Sequence, residues 1–172
     1  MKTMPLKILG ISGSLKATSA NKKILQFIST FLPANAEFIL YNDLSLLPHY
    51  NPDIDVPNTI DCVEQLRLIV KECQVVIICT PEYAFGVPGA LKNALDWLVS
   101  SGEMNENKVV VITASLGGDK ALASLLLTLQ ALGANVLSSL NIPFINSKIS
   151  KDGVVDSATK LQIQQVVAAI LV

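Results

Sequence analysis

Two unbroken apolar runs constrain this chain most: Val75-Val76-Ile77-Ile78-Cys79 and Val109-Val110-Val111-Ile112. Side chains alternate across a strand, so a strand that is apolar at every position must be covered on both faces. The setting that does this is a parallel sheet between two layers of helices. Such a sheet also absorbs much of the apolar surplus, since 51% of the chain is hydrophobic and only 16% charged. A large oligomer interface would absorb the rest.

Strand and helix patterns alternate around these runs. Strands are expected at Leu6–Ser12, Glu37–Tyr41, Gln74–Thr80, Lys108–Ala114 and Val136–Ile142, the last less hydrophobic and so at an edge. Helices are expected at Ser19–Phe31, Thr59–Cys73 with Thr59 as cap, Pro88–Ser100, Asp119–Leu132 ending at Gly133, and Asp156–Leu171. Asn42–Asn58 carries Pro48, Pro52 and Pro57, and a loop that long usually has a function or covers something. Lys151-Asp152-Gly153 reads as a turn. Five βα units imply right-handed crossovers and an α/β three-layer sandwich. Five strands fit the flavodoxin-like order 2-1-3-4-5, and residues 1–172 form one such domain. Ligands in these sheets bind at the carboxyl ends of the strands. The loops there are Gly13–Asn21, Pro81–Val87 and Ser115–Gly118.

The first of these loops suits an anion. The opening N–H groups of a helix lack intrahelical acceptors and carry partial positive charge. Ser14, Thr18, Ser19 and Asn21 add hydrogen-bonding side chains, and Lys16 a full charge. Neither a P-loop nor G-x-G-x-x-G is present. An ordinary capped helix on a βα turn explains the same residues equally well.

The 13 basic and 14 acidic residues leave a net charge of −1, which argues against a nucleic-acid surface. Cys62, Cys73 and Cys79 lack zinc or CxxC spacing and read as buried thiols in a reducing cytosol. No signal peptide is visible and no apolar run reaches the ~18 residues of a membrane span. The expectation is a soluble cytoplasmic protein without metal or membrane partner. His49 is the only histidine and reads as a surface-loop residue.

Thr80-Pro81-Glu82-Tyr83-Ala84-Phe85-Gly86-Val87-Pro88-Gly89-Ala90-Leu91-Lys92-Asn93-Ala94-Leu95-Asp96-Trp97, with Gly13-Ser14-Leu15-Lys16, Ser19 and Asn21, resembles the NADPH-dependent FMN reductase family. That family includes quinone, azo-dye and chromate reductases, with patterns close to G-S-L-R-x-x-S-x-N and P-E-Y-N-x-x-x-P-G-x-L-K-N-A-x-D-W. The resemblance implies FMN, its phosphate on Ser14, Lys16, Ser19, the Ala20 amide and Asn21. It implies a ring edge held by Pro81, Glu82, Tyr83 and Ala84, and a pyrimidine end at Ser115, Gly117 and Gly118. No side chain is implied as catalytic. Hydride would pass from NADPH or NADH to flavin N5, then two electrons to a quinone, azo dye, chromate or free flavin in a ping-pong cycle. The rivals are a flavodoxin-type electron carrier without NAD(P)H activity and a flavin-free binding protein on the same fold.

The chain departs from the family pattern at Lys16, usually Arg, and at Ala84, usually Asn. The Ser115–Gly118 loop also looks shorter than usual. Tyr83 is expected beside the flavin rather than packed on the next helix. Glu82 is expected to act through its backbone, its carboxylate solvated or paired with a neighbouring subunit. Lys92, Asn93 and Trp97 are expected to pack and cap. The apolar surplus suggests a homodimer or homotetramer.

Overall fold

In the computed structural model, which describes residues 5–58 and 60–170, the two apolar runs lie side by side. They belong to β3 (Val75–Thr80) and β4 (Lys108–Ala114), flanked by β1 (Leu6–Ser12), β2 (Ala36–Tyr41) and β5 (Asn135–Ile142). All pairings are parallel, in the order β2-β1-β3-β4-β5, with Ile77 opposite Val110 and Ile78 opposite Val111. Every residue of β3 is buried. Each fully covered Val or Ile contributes roughly 1.5–3 kcal/mol relative to exposure.

Alternation along the strands sorts the core into two halves. α1 (Ala20–Ser29) and α5 (Ser157–Ala168) meet Ile8, Val75, Ile77, Val110 and Ile112 on one face. α2 (Asp61–Glu72), α3 (Gly89–Asp96) and α4 (Asp119–Ala131) meet Leu9, Ile11, Val76, Ile78, Val109 and Val111 on the other. The sandwich, the strand order and the edge position of β5 agree with the sequence reading. Among the described residues no helix is long and apolar enough to cross a membrane.

The helix ends follow local chemistry. The Asp156 carboxylate accepts from Thr159 N at 2.7 Å and opens α5. Gly133 takes the left-handed conformation after α4, with φ +70°. Thr59, the expected cap of the second helix, lies outside the described residues; α2 begins at Asp61, and its first turn holds Asp61 and Glu64, favourable to the helix dipole. The third helix is shorter than the sequence pattern. The Trp97 carbonyl accepts from Arg67 Nε and Nη2 at 3.2 and 2.9 Å, and the next amides bond back only three residues, so the α-helix closes at Asp96.

The long loop after β2 folds into 3-10 turns at Leu44–Leu46 and Pro52–Ile54 and is pinned to α3. Asn93 Nδ2 and Trp97 Nε1 each donate to the Pro48 carbonyl at 2.9 Å, and Tyr50 N donates to Asn93 Oδ1 at 2.7 Å. The Tyr50 ring stands edge-on to the buried Trp97. Lys92 pairs with Asp96 on the same helix. These three residues therefore anchor and pack, and His49 sits exposed on the pinned loop. Cys73 and Cys79 are buried, but Cys62 is half-buried, donating to the Leu46 carbonyl where the loop crosses α2. Residues 151–152 turn a small antiparallel hairpin, β6 (Ile149–Ser150) with β7 (Gly153–Val154), which the sequence showed only as a turn.

At the far end of the loop, Asp55 accepts from Ser100 Oγ and from Arg67 Nη2. The Ser100 bond, then the Arg67 bond and charge, hold its carboxyl below the usual range against the opposing effect of burial. A carboxyl held lower in the folded state stabilises above its unfolded pKa near 4, and that contribution fades as pH falls through the folded value. Asp55→Asn is therefore expected to lower Tm at pH 7 and to show a smaller loss than the parent between pH 5 and 3, by thermal denaturation at each pH.

Candidate functional site

β1 ends at Ser12, and the Gly13 amide donates to the Cys79 carbonyl at 2.9 Å. A Cβ at Gly13 would lie 2.7 Å from Thr80 Cβ and 3.0 Å from Leu91, so only glycine permits this approach to β3. The chain then swings out and returns at Ser19, whose amide donates to the Lys16 carbonyl at 3.0 Å.

Ser19 Oγ accepts from the Asn21 amide at 3.2 Å and from Asn21 Nδ2 at 3.5 Å. Its own proton is thus left to donate outward. Asn21 Oδ1 in turn accepts from Cys79 Sγ at 3.4 Å. Burial pushes the Cys79 thiol well up, so it remains a protonated donor. The Thr18 and Ala20 amides meet no acceptor among the described residues, and the Lys16 ammonium meets no carboxylate. What points outward from the start of α1 is therefore all donor or cation, which is the donor set a phosphate requires.

The second loop is a tight hairpin. Tyr83 and Gly86 exchange both backbone hydrogen bonds, at 3.1 and 2.9 Å, around Ala84 and Phe85. Both central residues have positive φ, +47° and +60°, as a type I′ turn demands. Asn at position 84, as in the family pattern, would tolerate this conformation better than Ala. Tyr83 is exposed, with its hydroxyl 3.4 Å from Ser14 Oγ, so it reaches the first loop.

Glu82 departs from expectation. Its Oε2 accepts from the Lys120 and Ala121 amides at 2.9 Å each, capping α4. The N-cap residue of that helix, Gly118, has φ +111° and no side chain to do so. Through Oε2 the carboxylate ties the second loop to the third. The third loop is joined to the segment after β5, since Ile145 N donates to Ser115 O and Phe144 N to Leu116 O at 3.0 and 3.1 Å.

The loops surround a cavity of about 290 Å³. Nine of the twelve expected residues line it: Ser14, Lys16, Ser19, Ala20, Asn21, Pro81, Glu82, Tyr83 and Ser115. Ala84 and Gly117 line an adjoining, more apolar cavity of about 500 Å³, together with Phe85, Leu116 and Phe144. Gly118 lines neither; its backbone lies against the Asn141 side chain, where a Cβ would overlap Oδ1. The sequence reading missed Ile145, Asn146 and Ile149, which complete the wall. Only Pro143-Phe144, breaking the pattern after the last strand, marks that segment in sequence.

A 2-1-3-4-5 parallel sheet with a donor-rich turn after β1 and a cavity at its carboxyl edge defines a flavodoxin-like fold. The family model for NADPH-dependent FMN reductase matches residues 6–147, and the chain belongs to that family. It is 37% identical to an NAD(P)H-dependent FMN reductase of Pseudomonas aeruginosa over 92 residues, 54% of this chain and 49% of that protein. It is 30% identical to a quinone reductase of Escherichia coli over 115 residues, 65% of this chain and 61% of that one. The chain thus spans about half to three-fifths of the length of these curated relatives. The same fold is seen in the flavoenzyme NAD(P)H:(acceptor) oxidoreductase FerB of Paracoccus denitrificans, with TM-score 0.77 at 24% identity, over 95% of this chain and 94% of that one. It recurs in an FMN-dependent NADH-azoreductase of Bacillus anthracis in complex with FMN, with TM-score 0.63 at 16% identity, over 96% and 98%.

Removing the Glu82 carboxylate leaves two α4 amides without their acceptor. Glu82→Ala is expected to destabilise the protein by about 0.5–2 kcal/mol, the range for a lost cap, measurable by urea denaturation.

Proposed function

We propose that this chain is an FMN-dependent NAD(P)H oxidoreductase that passes electrons to a quinone-type acceptor. The observation that carries the reading is the two-sided cavity. One side offers Lys16, Ser14, Ser19, Asn21 and the Ala20 amide to a phosphate; the other offers Pro81, Glu82, Tyr83 and Ser115 to a flat ring. FMN bound there supplies two-electron chemistry between nicotinamide and acceptor by alternate binding. The protein's part is to bind, orient and exclude water, and no side chain need act as acid or base. Ala84 and Gly117 border the ring side, while Gly118 shapes the turn. Phe85, Leu116 and Phe144, 81%, 74% and 62% exposed, form an apolar mouth that suits planar acceptors. The relatives named quinone reductase and FMN reductase support this choice. The unpaired thiols fit a reducing cytoplasm. The apolar surplus of the chain, 51% hydrophobic, favours a homodimer or homotetramer, which light scattering reads.

The purified protein is expected to be yellow, to release FMN, and to oxidise NADPH or NADH in the presence of a quinone. Absence of flavin would instead indicate a binding protein on this fold. Flavin without nicotinamide oxidation, across both coenzymes and several acceptors, would indicate an electron carrier.

Two variants probe the halves of the site. Lys16→Glu is expected to weaken FMN binding roughly 10- to 100-fold, equivalent to about 1.5–3 kcal/mol for a charge-assisted bond, while Lys151→Glu leaves it unchanged. Phe85→Gly is expected to raise Tm by relieving a left-handed aromatic residue while raising the quinone KM, with FMN content unaltered.

A further inference from the structure

One residue of β3 holds both ends of the first loop. The Cys79 carbonyl accepts from the Gly13 amide where the loop leaves β1. The Cys79 thiol donates to Asn21 Oδ1 at 3.4 Å, where the loop has returned as α1. Cys79 is wholly buried, and Ser19 and Asn21 line the cavity although only 4% and 3% exposed. Burial keeps the thiol protonated and out of reach of reactants, so what it can offer is its proton.

A carboxamide is a donor at one end and an acceptor at the other, and a half-turn exchanges them. Its hydrogen-bond partners decide which end goes where. With Oδ1 taken by Cys79, the Asn21 Nδ2 goes to Ser19 Oγ, at 3.5 Å. Among the described residues that Nδ2 meets no other acceptor, so its second hydrogen is free. Ser19 Oγ already accepts from Asn21 N at 3.2 Å and from Nδ2, so its hydroxyl proton is free as well. Without a donor at position 79 the buried Oδ1 is orphaned, which is costly. The half-turn relieves that cost, because Ser19 can then donate to Oδ1. Both free protons are thereby withdrawn from the cavity, and an acceptor oxygen takes their place.

We propose that Cys79 is a positioning residue for the phosphate of FMN: its thiol proton sets the Asn21 carboxamide donor-outward and, through Ser19, makes the first loop select a phosphorylated flavin over riboflavin. The proposal rests on the reading of the cavity as an FMN site and is independent of nicotinamide and acceptor chemistry. A phosphate dianion has no proton to give and requires donors alone, whereas a monoanion keeps one P–O–H and can use an acceptor. Cys79 thus decides which charge state of the ligand the loop prefers.

The test titrates the full chain, freed of flavin, with FMN and with riboflavin, as the parent, Cys79→Ala, Cys79→Val and Cys79→Ser, following flavin fluorescence. The riboflavin Kd divided by the FMN Kd reads the phosphate alone. That ratio is expected to fall roughly tenfold or more, equivalent to about 1.4 kcal/mol, in Cys79→Ala and Cys79→Val. Cys79→Ser, whose hydroxyl is again a donor, is expected to restore it to within roughly threefold of the parent. In the parent the ratio is expected to rise between pH 5 and 7, as the phosphate loses its second proton near about 6, and the rise is expected to flatten in Cys79→Ala and Cys79→Val. Lys16, Glu82 and Tyr83, the ionisable side chains lining the cavity, are common to all four proteins. A thiol that only packs would weaken both flavins together and leave the pH profile in place. That result, or equal ratios in all four proteins, overturns the proposal while the FMN reading stands. A parent that binds neither flavin overturns the FMN reading instead; the loop is then read by the Tm response to inorganic phosphate. A response equal in all four proteins overturns the proposal too, whereas one lost in Cys79→Ala and Cys79→Val and kept in Cys79→Ser upholds the donor role of Cys79.

Discussion

The site depends on a missing side chain. With no Cβ at Gly13, the loop after β1 can settle against Thr80 and Leu91 and bond to the Cys79 carbonyl. That contact brings the start of α1 over the end of β3, within reach of the Cys79 thiol. Cys79 then fixes the Asn21 amide orientation, Asn21 satisfies Ser19, and Ser19 is left with a proton to offer. A donor cradle at the sheet edge is thus set by one close backbone approach and a chain of buried side chains beneath it. Its polarity is decided before any ligand is considered.

The second and third loops are held differently, through strain and compensation. Ala84, Phe85 and Phe144 all have positive φ without being glycine, and all border the apolar cavity. Left-handed geometry at such residues costs roughly 1–2 kcal/mol apiece, and it persists only where surroundings enforce it. Here the enforcement is visible. Paired backbone bonds between Tyr83 and Gly86 close the first turn, and the Glu82 carboxylate anchors that turn to α4. The amides of Phe144 and Ile145 fasten the other segment to the loop after β4. The energy held in these turns presents two aromatic side chains to solvent at the mouth of a cavity, an arrangement that folding alone does not favour.

Most of the fold was legible because its determinants are local. Continuous apolar runs specify buried strands, 3.6-residue periodicity specifies helices, and small polar residues mark the turns between. Ser14, Lys16, Ser19 and Asn21 were legible for the same reason: they share one loop. What escaped the sequence is set by partners far along the chain. Glu82 caps a helix that starts 37 residues later, so no spacing rule announces it. Arg67 ends a helix 30 residues downstream by taking its last carbonyl. Gly118 belongs to the expected loop, yet it is Asn141 on β5 that leaves no room for a side chain there. The orphaned hydroxyl of Tyr41 belongs to an ordinary strand pattern, and only burial exposes its predicament.

The use of charge connects these features. Arg67 is the chain's only arginine, and it lies buried among Asp55, Glu64, Ser100 and the Trp97 carbonyl. Its planar fork suits that several-armed structural task. Positive charge at the sheet edge therefore comes from lysine. At position 16 this is more than a weaker arginine. A lysine is a compact charge on a flexible stem, with three donors and no fixed plane. Lys16 borders the cavity between the three loops on one side and a smaller one beside Lys22 on the other. A guanidinium locked bidentately onto one phosphate would be committed there. An ammonium keeps its freedom of direction, so the departure from the family pattern leaves a mobile point charge at the sheet edge in place of a fixed fork.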